Sequence, residues 1–420
     1  MNEDNTLLFA LETEKTLIRP DVPTQRVMAL SLRAMRTASA NRMPLNLALV
    51  LDRSGSMSGE KIAYVKQAAS HVLDLLGDQD GAVVVTYDDE IALLAPLSPV
   101  TPANRAELKR RISAVRPGGS TNLSGGWLTG CEALAHTADA KKISRTLLLT
   151  DGLANAGITD PEQISSHAKE LFRRGVSTST FGVGLGFNEH LLEAMSNQGG
   201  GNFYYIETPG DIPALFQQEF KELAAVTASQ VVVELEVPAG VSLEVLGGWT
   251  LELAPGRAKL TPGNLFAGQN LEIFLKALTP PGNTGESLII RATLTSLDEH
   301  GQPLEARAEI CFQYDSQANV QAAPVNAMLL ERFAAVDMAE TANNALKLER
   351  QGRHEAASSM MMDGLIACRA YAPSAVTRQY SDMAEEMSRG MNETSLKEAH
   401  YSAYRSRRMR PQEQDDPDTI

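Results

Sequence analysis

Cysteine is scarce in this chain: Cys131, Cys311 and Cys368 are the three in 420 residues, far apart and odd in number. No Cys-x-x-Cys pair or secreted disulfide framework can be built from them, so a reducing cytosol is the expected compartment. Long apolar runs are missing too. No stretch approaches the roughly 18 consecutive apolar residues that span a bilayer. The opening MNEDNTLLFALETEK is acidic where a secretory leader would be positive, and its apolar run is short. No membrane association is expected. Basic charge is in deficit: 38 Lys and Arg against 52 Asp and Glu give a net charge of −14. That excludes a generally basic surface of the kind that binds nucleic acid. Common catalytic signatures are absent as well. The seven histidines show no His-Glu-x-x-His spacing, and there is no Gly-x-Ser-x-Gly elbow. Gly55 to Lys61 (GSMSGEK) lacks phosphate-loop spacing. Gly182 to Gly186 (GVGLG) misses the dinucleotide fingerprint and reads as a strand-end turn.

What is present begins at Leu45. The run Leu45 to Leu51 has the length and bulk of a strand buried on both faces of a parallel sheet. It breaks into Asp52-Arg53-Ser54-Gly55-Ser56, with a helical pattern from Glu60. A carboxylate and two hydroxyls at alternate positions therefore leave the carboxyl end of a buried strand, where open α/β sheets bind ligands. Pro117-Gly118-Gly119-Ser120-Thr121-Asn122 offers Thr121 from a glycine-rich loop, and the strand Thr146 to Thr150 ends in Asp151-Gly152. Hard oxygen donors of this kind suit Mg²⁺ or Mn²⁺ rather than zinc.

In order and context, this D-x-S-x-S, loop Thr and T-D-G series resembles the metal-ion-dependent adhesion site (MIDAS) of von Willebrand factor A (VWA) domains, over about residues 45–224. The resemblance implies that Ser54, Ser56 and Thr121 touch the metal directly, while Asp52 and Asp151 act largely through bound water. It implies an electron-poor ion whose open position takes a Glu or Asp from a partner protein. It also implies that Thr121 ligates in one state only, linking coordination to movement of the domain's last helix. The expected function is a non-catalytic, metal-dependent protein-binding module of a bacterial cytosolic type that scaffolds kinases, phosphatases or AAA+ ATPases. The alternative is a metal-dependent phosphoester hydrolase at the same site.

Around residues 45–226, alternating strand and helix patterns predict a doubly wound, mostly parallel six-stranded sheet with Asp52 where strand order reverses. Residues 1–44 carry two strands, Leu7 to Glu12 and Arg26 to Ala34, joined by a turn at Pro20 to Pro23. Residues 228–316 read as closely spaced strands punctuated by Pro238-Ala239-Gly240, Pro262-Gly263-Asn264 and Pro280 to Asn283. Together the two regions predict an antiparallel β-sandwich into which the metal-binding domain is inserted, an architecture resembling the integrin β-subunit head. Residues 324–410 read as a helical bundle, and 411–420 as a disordered tail. Met360 to Met362 read as core filler and Asp88-Asp89-Glu90 as a hairpin turn. The histidines read as surface or capping groups, and Arg405, Arg407, Arg408 and Arg410 as a solvated helix end.

Overall fold

The computed structural model describes residues 7–35, 42–136, 142–298 and 300–408. Three N-terminal strands, β1 (Leu7–Thr13), β2 (Leu17–Ile18) and β3 (Thr24–Ala34), precede the central sheet. That sheet comprises β4 (Leu45–Asp52), β5 (Gly81–Tyr87), β6 (Ile91–Pro99), β7 (Ile143–Thr150), β8 (Val176–Val183) and β9 (Gly200–Ile206). Their spatial order is β6-β5-β4-β7-β8-β9, with β6 the antiparallel member. From β4 the chain builds outward through β5 and β6, then returns to start β7 on the other flank. Order therefore reverses between β4 and β7, and Asp52 ends one of those strands, as expected.

Strand alternation sorts the two faces. Leu45, Leu47, Leu49 and Leu51 pack with Ile62, Val65 and Val72 of α1 (Glu60–Leu75), with Leu108 of α2 (Pro102–Ser113) and with Phe216 of α6 (Ile212–Ala224). Ala48 and Val50 face the other way. They meet Leu123 and Trp127 of α3 (Leu123–Ala135), in a layer completed by α4 (Pro161–Arg173) and α5 (Glu189–Gln198).

The remaining strands are β10 (Val226–Glu236), β11 (Ser242–Val245), β12 (Leu251–Ala254), β13 (Arg257–Phe266), β14 (Asn270–Thr279), β15 (Ser287–Asp298) and β16 (Pro303–Tyr314). They join the N-terminal strands in two sheets, β1-β3-β14-β11 and β12-β13-β10-β15-β16-β2. Pairing is antiparallel except between β16 and β2. Met28, Leu30, Ile273 and Leu275 of the first sheet share one core with Val233, Leu235, Ile290 and Phe312 of the second. Strands β12 and β13 were not expected. Pro262-Gly263-Asn264, read from sequence as a turn, lies inside β13. The ladder to β12 uses only Arg257 to Leu260, so Pro262 sits past its end, where a missing N–H is tolerated. Gly263 adopts φ +98° where pairing with β10 slips register.

Helices α7 (Gln317–Ala322), α8 (Ala327–Arg350), α9 (His354–Cys368), α10 (Ser374–Arg389) and α11 (Glu393–Arg407) follow. The last four share a core that includes Ala342, Leu346, Met361, Tyr380, Ala384 and Ala403. Met362, by contrast, is exposed.

Two expectations are corrected on α11. Arg407 and Arg408 are buried rather than solvated, and so is His400. Arg407 Nη2 lies 2.8 Å from Glu193, the Arg408 guanidinium stacks 3.6 Å over Trp249, and His400 Nε2 is 2.8 Å from Glu193. A local charge run cannot reveal that a distant helix, α5, supplies the countercharge. Arg410 and the 411–420 tail lie outside the described residues.

Burial pushes the Glu193 carboxyl up, but Arg407 and His400 outweigh it and hold the group well below the usual carboxylate range. Glu193→Gln is expected to cost about 3 kcal/mol, because Arg407 stays buried with only the longer 3.8 Å contact to Glu340 as countercharge. Urea denaturation checks this, and adding Arg407→Met should recover part of the loss. Burial, reinforced by His400, pushes the His190 imidazole down to about 4 from 6.5. Between those values only the unfolded chain takes up the proton, so this group lowers stability as pH falls through the window. Denaturation at pH 7 and pH 5 should show a smaller drop for His190→Asn than for the parent.

Candidate metal centre

Parallel strands β4 and β7 end side by side, and each delivers a carboxylate at its carboxyl terminus. Asp52 and Asp151 are both essentially inaccessible to solvent. Asp52 Oδ1 accepts the Ser54 backbone N–H at 2.8 Å, closing the turn that aims Ser54 and Ser56 back over the strand end. Asp52 Oδ2 accepts the Thr150 hydroxyl at 2.6 Å. Ser54 and Ser56 Oγ lie 3.1 Å apart, and Ser56 Oγ donates to Asp151 Oδ1 at 2.8 Å. Thr121 borders the same space: a methyl group added at Gly152 would sit 3.3 Å from Thr121 Oγ1 and 3.6 Å from Asp52 Oδ2. Asp52, Ser54, Ser56, Thr121 and Asp151 are thus brought together from three loops.

Two buried carboxylates lie close together here. Burial raises the Asp52 carboxyl, and the charge on Asp151 adds to the effect. Burial also drives the Tyr87 phenol well above its ordinary range, with Asp52 next in importance. Two carboxylates held close with three hydroxyls form an all-oxygen donor set, which fits a hard divalent cation.

Several residues that build the site were not singled out as such in the sequence. Thr150 steadies Asp52. Asn155 Oδ1 accepts the Thr121 N–H at 2.7 Å, and the Thr121 carbonyl accepts Asn155 and Ala156 N–H groups at 3.2 Å each. Lys61 contacts Asp151 Oδ2. Asp88, read from sequence as part of a turn, is an anchor. It is buried, its Oδ1 lies 2.8 Å from Arg53 Nη2, and its Oδ2 accepts the Gly119 N–H at 3.0 Å. Its carbonyl accepts the Asn122 N–H at 2.8 Å. The available signal was positional: Asp88 follows β5 as Asp52 ends β4, at the same edge of the sheet. Glu189, His190 and His400 also place possible ligand atoms within 4.8 Å of one another. Lys397 and Arg350 already hold the two Glu189 oxygens, so an ion there would face two fixed cations.

An open α/β sheet with oxygen-bearing side chains gathered at its switch point belongs to a recognisable class of doubly wound folds. Residues 46–218 match the family model for the von Willebrand factor type A domain, and this segment of the chain is a VWA domain. The chain is similar to uncharacterized protein YfbK of Escherichia coli (strain K12), at 31% identity over 47% of this chain and 34% of that protein. It is 26% identical to uncharacterized protein sll0103 of Synechocystis, over 80% of this chain and 82% of that one. Inter-alpha-trypsin inhibitor heavy chain H3 of Rattus norvegicus matches at 29% over 48% of this chain and 23% of its own length. The chain thus spans about a third of YfbK and a quarter of the heavy chain. Among solved structures, a von Willebrand factor type A protein from Catenulispora acidiphila superposes with a TM-score of 0.75 and 16% identity, covering 95% of this chain and 96% of that one. The ArnB paralog VWA2 from Sulfolobus acidocaldarius gives 0.69 and 16%, covering 96% and 98%. The fold therefore extends over the flanking sheets and helices as well. VWA domains typically mediate protein–protein interaction, some through a bound metal.

Asp88→Ala removes three hydrogen-bonded or charged partners of one buried carboxylate, including the Glu90 N–H. It should lower stability by about 2–3 kcal/mol. A shift in denaturation midpoint, with faster amide exchange confined to residues 118–122, checks this.

Proposed function

We propose that this protein is a non-catalytic, divalent-metal-dependent binding module whose metal site captures an Asp or Glu side chain of a partner protein. The observation that carries the reading is the convergence of Asp52, Ser54, Ser56, Thr121 and Asp151 at the β4/β7 switch point. Ser54, Ser56 and Thr121 would hold Mg²⁺ or Mn²⁺ directly, with Asp52 and Asp151 acting through bound water. The bound ion supplies an electrophilic position for an incoming carboxylate. The chain's own residues do the rest. Asp88 and Arg53 fix the glycine-rich loop, Asn155 orients Thr121, and Thr150 keeps Asp52 from turning away. Leu153 and Leu185, on two loops at this edge, are exposed and give the partner an apolar rim to pack against.

A hydrolase at this site needs a general base or acid beside the ion. Its side chains are otherwise engaged: Arg53 with Asp88, Lys61 with Asp151, and Asn155 with the Thr121 amide. That favours binding over turnover. We further read the chain as a VWA module (45–226) inserted between the strands of a β-sandwich (1–44 and 228–316), followed by a helical region (324–410). It serves as a scaffold or regulator in a bacterial cytosolic complex built around a kinase, phosphatase or AAA+ ATPase. The shared core of the two sheets supports the sandwich, and the three free cysteines fit a reducing compartment.

Calorimetric titration with Mg²⁺ and Mn²⁺ should show one site on the full chain, weakened at least about tenfold in Asp52→Ala and in Ser54→Ala. Partner capture should occur in Mg²⁺ and disappear in EDTA. A folded chain that takes up no divalent ion at millimolar concentration would overturn the reading.

A further inference from the structure

Lys61 occupies a position that its own helix disfavours. It lies in the first turn of α1, where the amide dipoles present partial positive charge, and no side chain caps that turn. Its ammonium nevertheless points into the metal centre and contacts Asp151 Oδ2, a carboxylate with no exposed surface, while a third of the Lys61 side chain stays in solvent. Among the described residues it is the one cation in contact with either Asp52 or Asp151.

The chain makes room for it. The Gly182-Val183-Gly184-Leu185-Gly186 run, which has no role as a nucleotide motif, wraps this ion pair. Gly184 adopts φ +68°, and a methyl group there would sit 3.3 Å from Lys61 Cε. At Gly186 a methyl group would lie 2.7 Å from the Asp151 carbonyl oxygen and 3.9 Å from Lys61 Nζ. Side chains at these two positions would crowd the lysine stem and the Asp151 backbone.

We propose that Lys61 is a tethered counter-cation of the metal centre, competing with the divalent ion for Asp151 and so setting how tightly the ion is held. The inference rests on the metal-dependent reading above. An ammonium on Asp151 neutralises part of the charge that attracts the ion. A divalent ion beside it must either accept that repulsion or displace the lysine, whose flexible stem already reaches solvent. Affinity is therefore held below what five oxygen donors alone would give. A partner carboxylate arriving at the ion restores the missing negative charge, so ion and partner favour each other's binding.

The test is calorimetric titration of the full chain with MnCl₂ and MgCl₂, in the parent, Lys61→Met, Lys61→Gln and Lys61→Arg. Loss of the charge in the Met and Gln variants should tighten binding at least about tenfold, while the Arg variant stays close to the parent. Without ion, the Met and Gln variants should melt at lower temperature than the parent, and Mn²⁺ should raise their melting temperatures by more. Folded Met and Gln variants that bind Mn²⁺ no better than the parent overturn the counter-cation role and leave the metal site standing. If neither the parent nor any variant takes up ion, the metal-dependent reading itself is lost, and the role of Lys61 with it.

Discussion

Two carboxylates lie side by side at the ends of adjacent buried strands, and most of what surrounds them exists to make that tolerable. Burying an ionised group is costly unless hydrogen bonds or opposite charge offset it. Asp52 meets the requirement with the Ser54 amide and the Thr150 hydroxyl, and Asp151 with Ser56 and Lys61. Each partner comes from a segment placed by the parallel sheet: the loop after β4, the end of β7 and the first turn of α1. The site is a consequence of topology. Only at the reversal point do two carboxyl-terminal strand ends diverge enough for loops to fold over them and still share a space.

The same need for countercharge organises the contact between the domain and the C-terminal helices. Helix α5 carries Glu189 and Glu193 into a contact that α11 answers with Lys397, His400 and Arg407. Lys397 also reaches the Phe187 carbonyl and lies 4.1 Å from the Phe187 ring centre. Phe187 directly follows the glycine run that cradles Lys61 and Asp151. The C-terminal helices are thereby pinned to the residue that ends a loop of the metal centre, with Gly184 to Gly186 as the short connection. Helix α11 thus packs against the VWA segment, although it lies outside that segment in sequence.

How much of this was legible beforehand follows from the range of each interaction. The strand at Leu45 and the alternation of strands and helices over residues 45–226 rest on neighbours within a few residues, and they read correctly. That Asp52, Ser54, Ser56, Thr121 and Asp151 converge was legible because each sits at a strand end or in a glycine-rich loop. Asp88 was not. Its local context, Asp-Asp-Glu between two strands, is that of any hairpin, and its role depends on Arg53 and Gly119, each about thirty residues away. Arg407 and Arg408 were misjudged for the same reason, since their partners Glu193 and Asn197 lie more than two hundred residues earlier. Strand β13 was hidden by a Pro-Gly-Asn triplet that a register slip absorbs.

Lys61 shows where reading from pattern stops. In sequence it is one of two lysines on an amphipathic helix, and the surface face of α1 would accept it without comment. What distinguishes it is a conflict of local and global preference: a cation where the helix dipole repels it, retained because a carboxylate ninety residues later lies beside it. Locally unfavourable choices that a distant residue redeems tend to mark functional positions. Here the redeeming residue, Asp151, is itself one of the five residues gathered at the β4/β7 strand ends. An ammonium in that place cannot leave the ion's environment unchanged, because it alters the charge the ion encounters whether it stays or swings out. On the proposed reading, the affinity of this centre would depend on six side chains, the five oxygen donors and one lysine.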